Sequence, residues 1–327
     1  MNELRRILDV ARGVAAAPAL VPKLVASTGL SEQGVRLALA EHLELDATDA
    51  ELEALHAAVT PASRVHVILS ANVFVGALRA LVLARAASSR VTVRPSRREP
   101  VFATALVEAL GDPAFTLSDE EPDEGELHVY GRDETIAAIR ARTSLVVRAH
   151  GAGMGVAYVP AAADLRVTAD RVAADVVPFD QRGCLSPRIV FVEGEPEAFA
   201  TALAEALAAR ELLVPRGALT PAERAELARW ADSVAFAGSL RRGAAWAVAV
   251  AGPSALPPPG RHVLVTRWAG ARTLEPIARH LVAVGAPTLD AARVVAPPHA
   301  RISLLGEMQK PRLDGPVDRR YLAVQHA

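Results

Sequence analysis

From Val65 onward, short apolar runs rich in β-branched residues alternate with Ala- and Leu-rich stretches, and this alternation constrains the fold more than any other feature. Val65–Leu69 (VHVIL) reads as a strand, broken by Ser70-Ala71-Asn72, and Gly76–Ala87 reads as a helix. Val91-Thr92-Val93 is a second strand, Arg94-Pro95-Ser96-Arg97-Arg98 a polar link, and Pro100–Leu110 a second helix. Strand, helix, strand, helix with short links predicts a right-handed parallel βαβ unit. In open α/β sheets ligands sit beyond the carboxyl ends of strands, and Asn72 and Arg94–Arg98 occupy two such ends. Aromatics make up 4% of the chain against a hydrophobic fraction of 51%, so the core is built from Ala, Val and Leu, which suits helices on a parallel sheet.

The series continues. Leu127–Tyr130 is a strand, Gly131–Asp133 a turn, Glu134–Arg142 a helix, and Leu145–Arg148 a strand opening onto His150-Gly151-Ala152-Gly153-Met154-Gly155. Those glycines let backbone approach a ligand closely, but without a clear following helix they are a weak dinucleotide fingerprint. Val156–Val159 and Ile189–Val192 read as strands, Ala169–Val176 and Pro196–Ala209 as helices. Thr220 with Pro221 and Glu223 starts another helix through a capping box. Trp246–Ala251 and His262–Trp268 are strands around a proline loop, Leu274–Val284 a helix, Arg293–Ala296 a strand, and Leu304–Pro311 irregular. Ahead of all this, residues 1–60 are helical, with a second capping box at Thr48 and Glu51. The acidic run Ser118–Glu126 reads as a solvated loop.

A chain of 327 residues predicts two domains or one elaborated α/β domain. Net charge is −1 without a basic face, which argues against nucleic acid as main partner. A single cysteine excludes an intramolecular disulfide and a cysteine-rich zinc site, and fits a reducing, cytoplasmic setting. No apolar run approaches the ~18–20 residues of a spanning helix, and the N-terminus lacks a secretory signal pattern.

That cysteine, Cys184, lies in Pro178–Arg188 (PFDQRGCLSPR), bracketed by Gly183 and Pro187 and followed by the strand reading. A lone cysteine is commonly a small buried hydrophobe; on a constrained turn before a buried strand it is also placed like a nucleophile. Asn72 either terminates its strand by local hydrogen bonding or donates its amide to an oxyanion. Arg94, Arg97 and Arg98 form either a solvated face or a phosphate-binding set. His150 is either a turn residue capping backbone groups or a proton carrier.

Four stretches carry a resemblance: Val65–Pro100, Tyr130–Arg140 (YGRDETIAAIR), Phe179–Pro187 (FDQRGCLSP) and Leu304–Asp318 (LLGEMQKPRLDGPVD). In this order they resemble the LuxC-type acyl-CoA reductases of the aldehyde dehydrogenase superfamily. The resemblance implies an aldehyde-dehydrogenase-like α/β fold, with an open Rossmann-like cofactor domain and an α/β catalytic domain. The expected boundaries are a helical segment at 1–60, the nucleotide-binding domain at 61–178, the catalytic domain at 179–285, and a C-terminal segment at 286–327 returning to the cofactor domain.

It also implies roles. Cys184 falls on the family's nucleophile, and Asn72 on the asparagine that forms an oxyanion hole with the cysteine's own N–H. Arg94-Pro95-Ser96 falls where the family has a Lys-led loop contacting the nucleotide's ribose and phosphate, and Gly131 on the glycine near the pyrophosphate. Where oxidising relatives carry a glutamate base, this chain has His150, which fits reductive chemistry on a thioester. The activity expected is NADPH-dependent reduction of an acyl thioester to an aldehyde through an acyl-cysteine, with Ser96, Arg97 and Arg98 meeting the 2′-phosphate. Arg182, Arg188 or a protonated His150 would favour the thiolate, since a free cysteine titrates at about 8.5. The expected partners are an acyl-CoA or acyl-carrier-protein substrate, an acyl-transferring subunit and further copies of the chain as a homo-oligomer. An acyl-transfer relay without hydride transfer, or a non-catalytic scaffold, stays open.

Overall fold

The computed structural model describes residues 1–320, and the chain divides into two compact units. The first comprises residues 1–28, 35–152 and the described residues from Lys310; the second comprises 29–34 and 153–309. The expected divisions at 178 and 285 differ from these. Residues 153–178 and 286–309 stay with the second unit because they themselves supply strands, Met154–Val159 and Arg301–Leu304, to its one sheet. Residues 321–327 of the C-terminal segment expected at 286–327 lie outside the described residues.

Helices α1 (Asn2–Ala15), α2 (Leu20–Thr28), α3 (Glu32–Glu41) and α4 (Asp49–Ala57) make the expected helical start. The Thr48–Glu51 capping box forms at α4: each side chain satisfies the other's backbone N–H. Then follow β1 (Val65–Ile68), α5 (Gly76–Ala87), β2 (Val91–Arg94), α6 (Val101–Leu110), β3 (Phe115–Leu117), β4 (Glu126–Tyr130), α7 (Asp133–Arg140) and β5 (Val146–His150). The five strands are parallel in the order β3-β2-β1-β4-β5, so the winding direction reverses between β1 and β4. Ile136 and Ile139 of α7 pack on Ile68, Leu127 and Val129, which buries one sheet face without any large aromatic.

The acidic run is not simply solvated. Glu126 is the buried first residue of β4, bonded to His128 at 2.8 Å and to the Arg148 guanidinium at 3.1 Å. Glu121 pairs with Arg142, and Glu124 with Arg90 at 2.9 Å. Basic side chains around the crossover from β3 to β4 neutralise it and draw it onto the unit.

The second unit contains β6 (Met154–Val159), α8 (Leu165–Val176), β7 (Pro187–Val192), α9 (Pro196–Leu213), α10 (Pro221–Ala237), β8 (Ser239–Arg242), β9 (Ala247–Val250), β10 (His262–Arg267), β11 (Leu281–Ala286), α11 (Leu289–Val295) and β12 (Arg301–Leu304). Its sheet runs β12-β11-β6-β7-β10-β9-β8, parallel except for the edge strand β8. The central strands β6 and β11 are buried along their whole length, as continuous apolar runs in a doubly covered sheet should be.

Two sequence expectations are corrected here, and one strand is added. Leu274–Val284 is not one helix: Ala271–His280 winds as 3-10 turns around Pro276, and the β-branched run after it becomes β11. Arg293–Ala296 is not a strand but the end of α11, whose start is capped by Thr288 accepting from the Ala291 N–H. The stretch before the irregular tail is β12, the edge partner of β11. Strands β3 and β8, both short edge strands, carried too few apolar residues to be read. Among the described residues no single helix is long and apolar enough to cross a membrane.

Candidate active site

The thiol turn starts from an unusual backbone. Phe179, Asp180 and Gln181 have φ of 55°, 50° and 64°, three successive non-glycine residues in the left-handed region. Each costs roughly 1–2 kcal/mol in that conformation. Such a turn persists only where its surroundings over-determine it, and here they do. The Phe179 ring is buried. The Asp180 carboxylate accepts from Arg261 Nε at 3.0 Å and Nη2 at 2.7 Å, and from the Gly217 N–H at 3.0 Å. Arg261 also donates to Glu211 and to the Val214 carbonyl, both at 2.7 Å. Asp180 and Arg261 are each only 1% exposed.

Gln181 acts as a backbone surrogate. Its Nε2 donates to the carbonyls of Pro187 (2.9 Å) and His262 (2.8 Å), and its Oε1 accepts from the His262 N–H at 2.9 Å. One side-chain amide thus ties the first residues of β7 and β10 together beneath the turn. The chain then folds over: the Ser186 N–H donates to the Gly183 carbonyl at 3.1 Å, closing a four-residue turn with Cys184 and Leu185 at its centre. Cys184 is half-buried, while Gly183, Leu185 and Ser186 are buried.

The remaining support comes from β6 and from the segment after β12. The Gly155 N–H donates to the Ser186 carbonyl at 2.9 Å, and a Cβ on Gly155 would overlap the Leu185 carbonyl oxygen. Gln309 Nε2 donates to Ser186 Oγ at 3.0 Å. Met308 lies where side chains on Gly155 and Gly285 would have been. Its segment is held by Asp175, whose carboxylate accepts from the N–H groups of Gly306 (2.7 Å) and Met308 (2.8 Å). Burial pushes the Asp175 carboxyl up to about 7, against those two hydrogen bonds. The Leu304–Asp318 motif therefore splits: its first residues buttress the thiol turn.

The residues expected to influence the thiol have further partners of their own. Arg182 reaches the Ala218 carbonyl at 3.3 Å and Glu223 at 3.5 Å. Arg188 donates to the Pro257 carbonyl, and burial pushes its guanidinium down to about 10, still charged at neutral pH. At His150, which is half-buried, loss of solvation, then the neighbouring His128, push the imidazole down to about 3, with Asp318 opposing, which disfavours the protonated form. Its ring stacks on Tyr130 at 4.2 Å. His150 belongs to the first unit, at the end of β5, and Cys184 to the second.

Within the first unit, Asn72 is exposed in the bend after β1, before α5. Arg94 ends β2 in register with Ile68, its guanidinium 3.6 Å from both Asp119 and Glu121. Pro95 and Ser96 follow half-buried, the Ser96 hydroxyl accepting from the Arg98 N–H at 3.3 Å; Arg97 and Arg98 are exposed. Gly131 follows β4, its N–H donating to the His150 carbonyl at 3.2 Å. Asn72, Arg94 and Gly131 thus follow or end three adjacent parallel strands at their carboxyl ends, beside the β1/β4 reversal where such sheets take ligands. Gly151 has a local structural reason: a Cβ there would strike the Asp133 carboxylate, which accepts from the Ala152 N–H at 3.0 Å. Sequence reading passed over Asp175, Asp180, Gln181, Asp119, Glu121 and Arg261. Asp180 and Gln181 were inside the quoted motif, but nothing local assigns them partners about 81 residues away.

The fold is that of solved aldehyde dehydrogenases. An NAD-dependent aldehyde dehydrogenase from Sinorhizobium meliloti matches with a TM-score of 0.69 at 19% identity, over 92% of this chain and 73% of that one. An oxidoreductase from Marinobacter aquaeolei matches with a TM-score of 0.74 at 14% identity, over 94% and 78%. A mutant of aldehyde dehydrogenase C from Pseudomonas syringae, complexed with NAD+ and octanal, matches with a TM-score of 0.69 at 13% identity, over 92% and 76%. No curated protein matches the chain. The family model for acyl-CoA reductase (LuxC) matches residues 123–302, more than half of the chain, including β4, the thiol turn and its β10 partner. With this match the chain belongs to the LuxC acyl-CoA reductase family, a family of oxidoreductase enzymes on the aldehyde dehydrogenase fold.

Proposed function

We propose that the protein reduces an acyl thioester, acyl-CoA or acyl-carrier-bound, to an aldehyde, using NADPH and a covalent acyl-Cys184. The observation carrying this reading is the Cys184 turn: a half-buried thiol on a strained, over-determined turn inside the region matching the acyl-CoA reductase model. Preorganisation of this kind serves a nucleophile that must meet a carbonyl at a fixed angle.

The Cys184 thiolate forms a bond to the acyl carbon, and the carbon–sulfur bond to the leaving thiol breaks as that thiolate departs and takes up a proton. The Cys184 N–H donates to the carbonyl oxygen as negative charge develops; the resemblance assigns the second donor to Asn72. The strand-end residues fit a nicotinamide dinucleotide: Arg97 and Arg98 offer exposed guanidinium donors beside Ser96, and Gly131 presents backbone at the next strand end but one. When bound, the reduced nicotinamide supplies hydride to the acyl carbon. The carbonyl then re-forms, the bond to Cys184 breaks, and the thiolate returns as aldehyde leaves. His150, neutral by burial, is assigned no charge-stabilising part.

The acyl relay is favoured by one observation, the engagement of Arg94 by Asp119 and Glu121. One assay separates the readings. The protein is incubated with acyl-CoA with and without NADPH, the Cys184 peptide is followed by mass spectrometry and NADPH by absorbance. Reduction predicts an acyl-Cys184 adduct without NADPH and stoichiometric NADPH loss with it, both abolished in Cys184→Ala. A persistent adduct without NADPH consumption means a relay, and unchanged turnover in Cys184→Ala overturns the proposal.

A further inference from the structure

Arg94 ends β2 at the carboxyl edge of the first sheet. In doubly wound sheets this neighbourhood meets the adenosine ribose: a carboxylate binds the 2′-hydroxyl of NAD, or a guanidinium the 2′-phosphate of NADP. Here both chemistries stand together. Arg94 Nε lies 3.6 Å from Asp119 Oδ1, and Nη1 lies 3.6 Å from Glu121 Oε1. These are ion pairs longer than hydrogen bonds. Glu121 is also gripped by Arg142, whose hydrogen bond first of all holds its carboxyl below the usual carboxylate range. The Asp119 side chain is 82% exposed, and residues 118–125 form neither helix nor strand.

We propose that Asp119 and Glu121 are an internal counter-anion that competes with the 2′-phosphate of NADPH for Arg94, making them determinants of the choice between NADPH and NADH. The inference rests on the cofactor reading above. A phosphomonoester carries about −1.5 to −2 charges at neutral pH, so it approaches Arg94 only by displacing the carboxylates or lying against them. The 2′-hydroxyl of NADH brings no such charge and can donate to a carboxylate. Arg94 therefore discriminates less than an uncommitted guanidinium would, and the acidic crossover sets by how much.

The test measures dissociation constants of NADPH, NADH, 2′,5′-ADP and ADP by calorimetry on the wild type and three variants, each checked for an unchanged thermal melt. Glu121→Gln should tighten NADPH and 2′,5′-ADP by about threefold to tenfold, in the range of a partly exposed ion pair, while NADH and ADP move by less than about twofold. Asp119→Asn should act in the same direction and less strongly. Glu124→Gln removes the same charge from the same segment but pairs with Arg64 and Arg90, so the selectivity ratio should stay put. Equal tightening of all four ligands, or an unmoved NADPH constant, overturns the inference and leaves the cofactor reading standing. If neither dinucleotide binds the folded wild type or any variant, the cofactor reading falls and the inference falls with it.

Discussion

Removing Arg261 is the sharpest probe of how the thiol turn is held. Arg261→Met deletes both bonds to Asp180 and those to Glu211 and Val214, leaving the Asp180 carboxylate with the Gly217 N–H and the charge of Arg216 nearby. Breaking a buried pair by deleting one partner costs about 3–5 kcal/mol. The strain of Phe179, Asp180 and Gln181, roughly 1–2 kcal/mol each, is then opposed only by the buried Phe179 ring and the Gln181 bonds, and the turn loosens. At about 4 kcal/mol and an m of roughly 2 kcal/mol per molar, the urea midpoint of the second unit falls by about 2 M. All three tryptophans, Trp230, Trp246 and Trp268, lie in that unit, so intrinsic fluorescence reports on it. Asp180→Asn combined with Arg261→Met should cost less than the single change, because the fully buried Asp180 charge is no longer stranded and only the partly exposed Glu211 loses its partner. The reaction rate of Cys184 with a disulfide reagent should shift severalfold in Arg261→Met, and Arg261→Lys should restore it only in part, because one ammonium cannot copy the fork. A midpoint shift under ~0.5 M with an unchanged thiol rate would refute the claim that this ion pair holds the turn.

Two further outcomes follow from the same geometry. Gly155→Ala puts a methyl group against the Leu185 carbonyl and Met308, so it should cost about 1–3 kcal/mol and slow acylation of Cys184, measured by denaturation and by adduct formation. Mild acid should destabilise the protein through His66 and His262, held down to about 4, and His150, held down to about 3, in each case first by burial. Their folded pKa values are depressed, so the stability they contribute is present above about 6.5 and lost as pH falls toward 4 and 3, at up to ~1.4 kcal/mol per pH unit for each. Asp175, raised to about 7, contributes in the opposite sense, losing stability as pH rises from about 4 through 7. Glu99, whose carboxyl burial also raises, acts in the same sense as Asp175. Thermal melts between pH 7 and 4.5 check the sum: with three imidazoles against two carboxyls, a melting temperature that rises on acidification contradicts it.

Much of this protein was legible from local pattern. The βαβ alternation from Val65, the two capping boxes and the placement of Asn72 and Arg94 at strand ends depend on residues within a turn or two of one another, and all formed as read. The errors sit where local signals compete. LVAVGA is equally apolar as helix or strand, and only its place between β6 and β12 makes it β11. Arg293–Ala296 looked like a strand because the Thr288 cap that starts α11 went unread.

The sequence by itself determined that the chain is a parallel α/β protein with one thiol on a constrained turn, because periodicity, turn residues and composition act over short distances. Only the tertiary structure decided what holds that turn and what faces the basic strand end. Asp180 finds Arg261, Gln181 finds His262, and Arg94 finds Asp119 and Glu121 across strands that pair in space. Such partners are chosen by which side chains a folded sheet brings within a few ångströms, and no spacing along the chain encodes that choice.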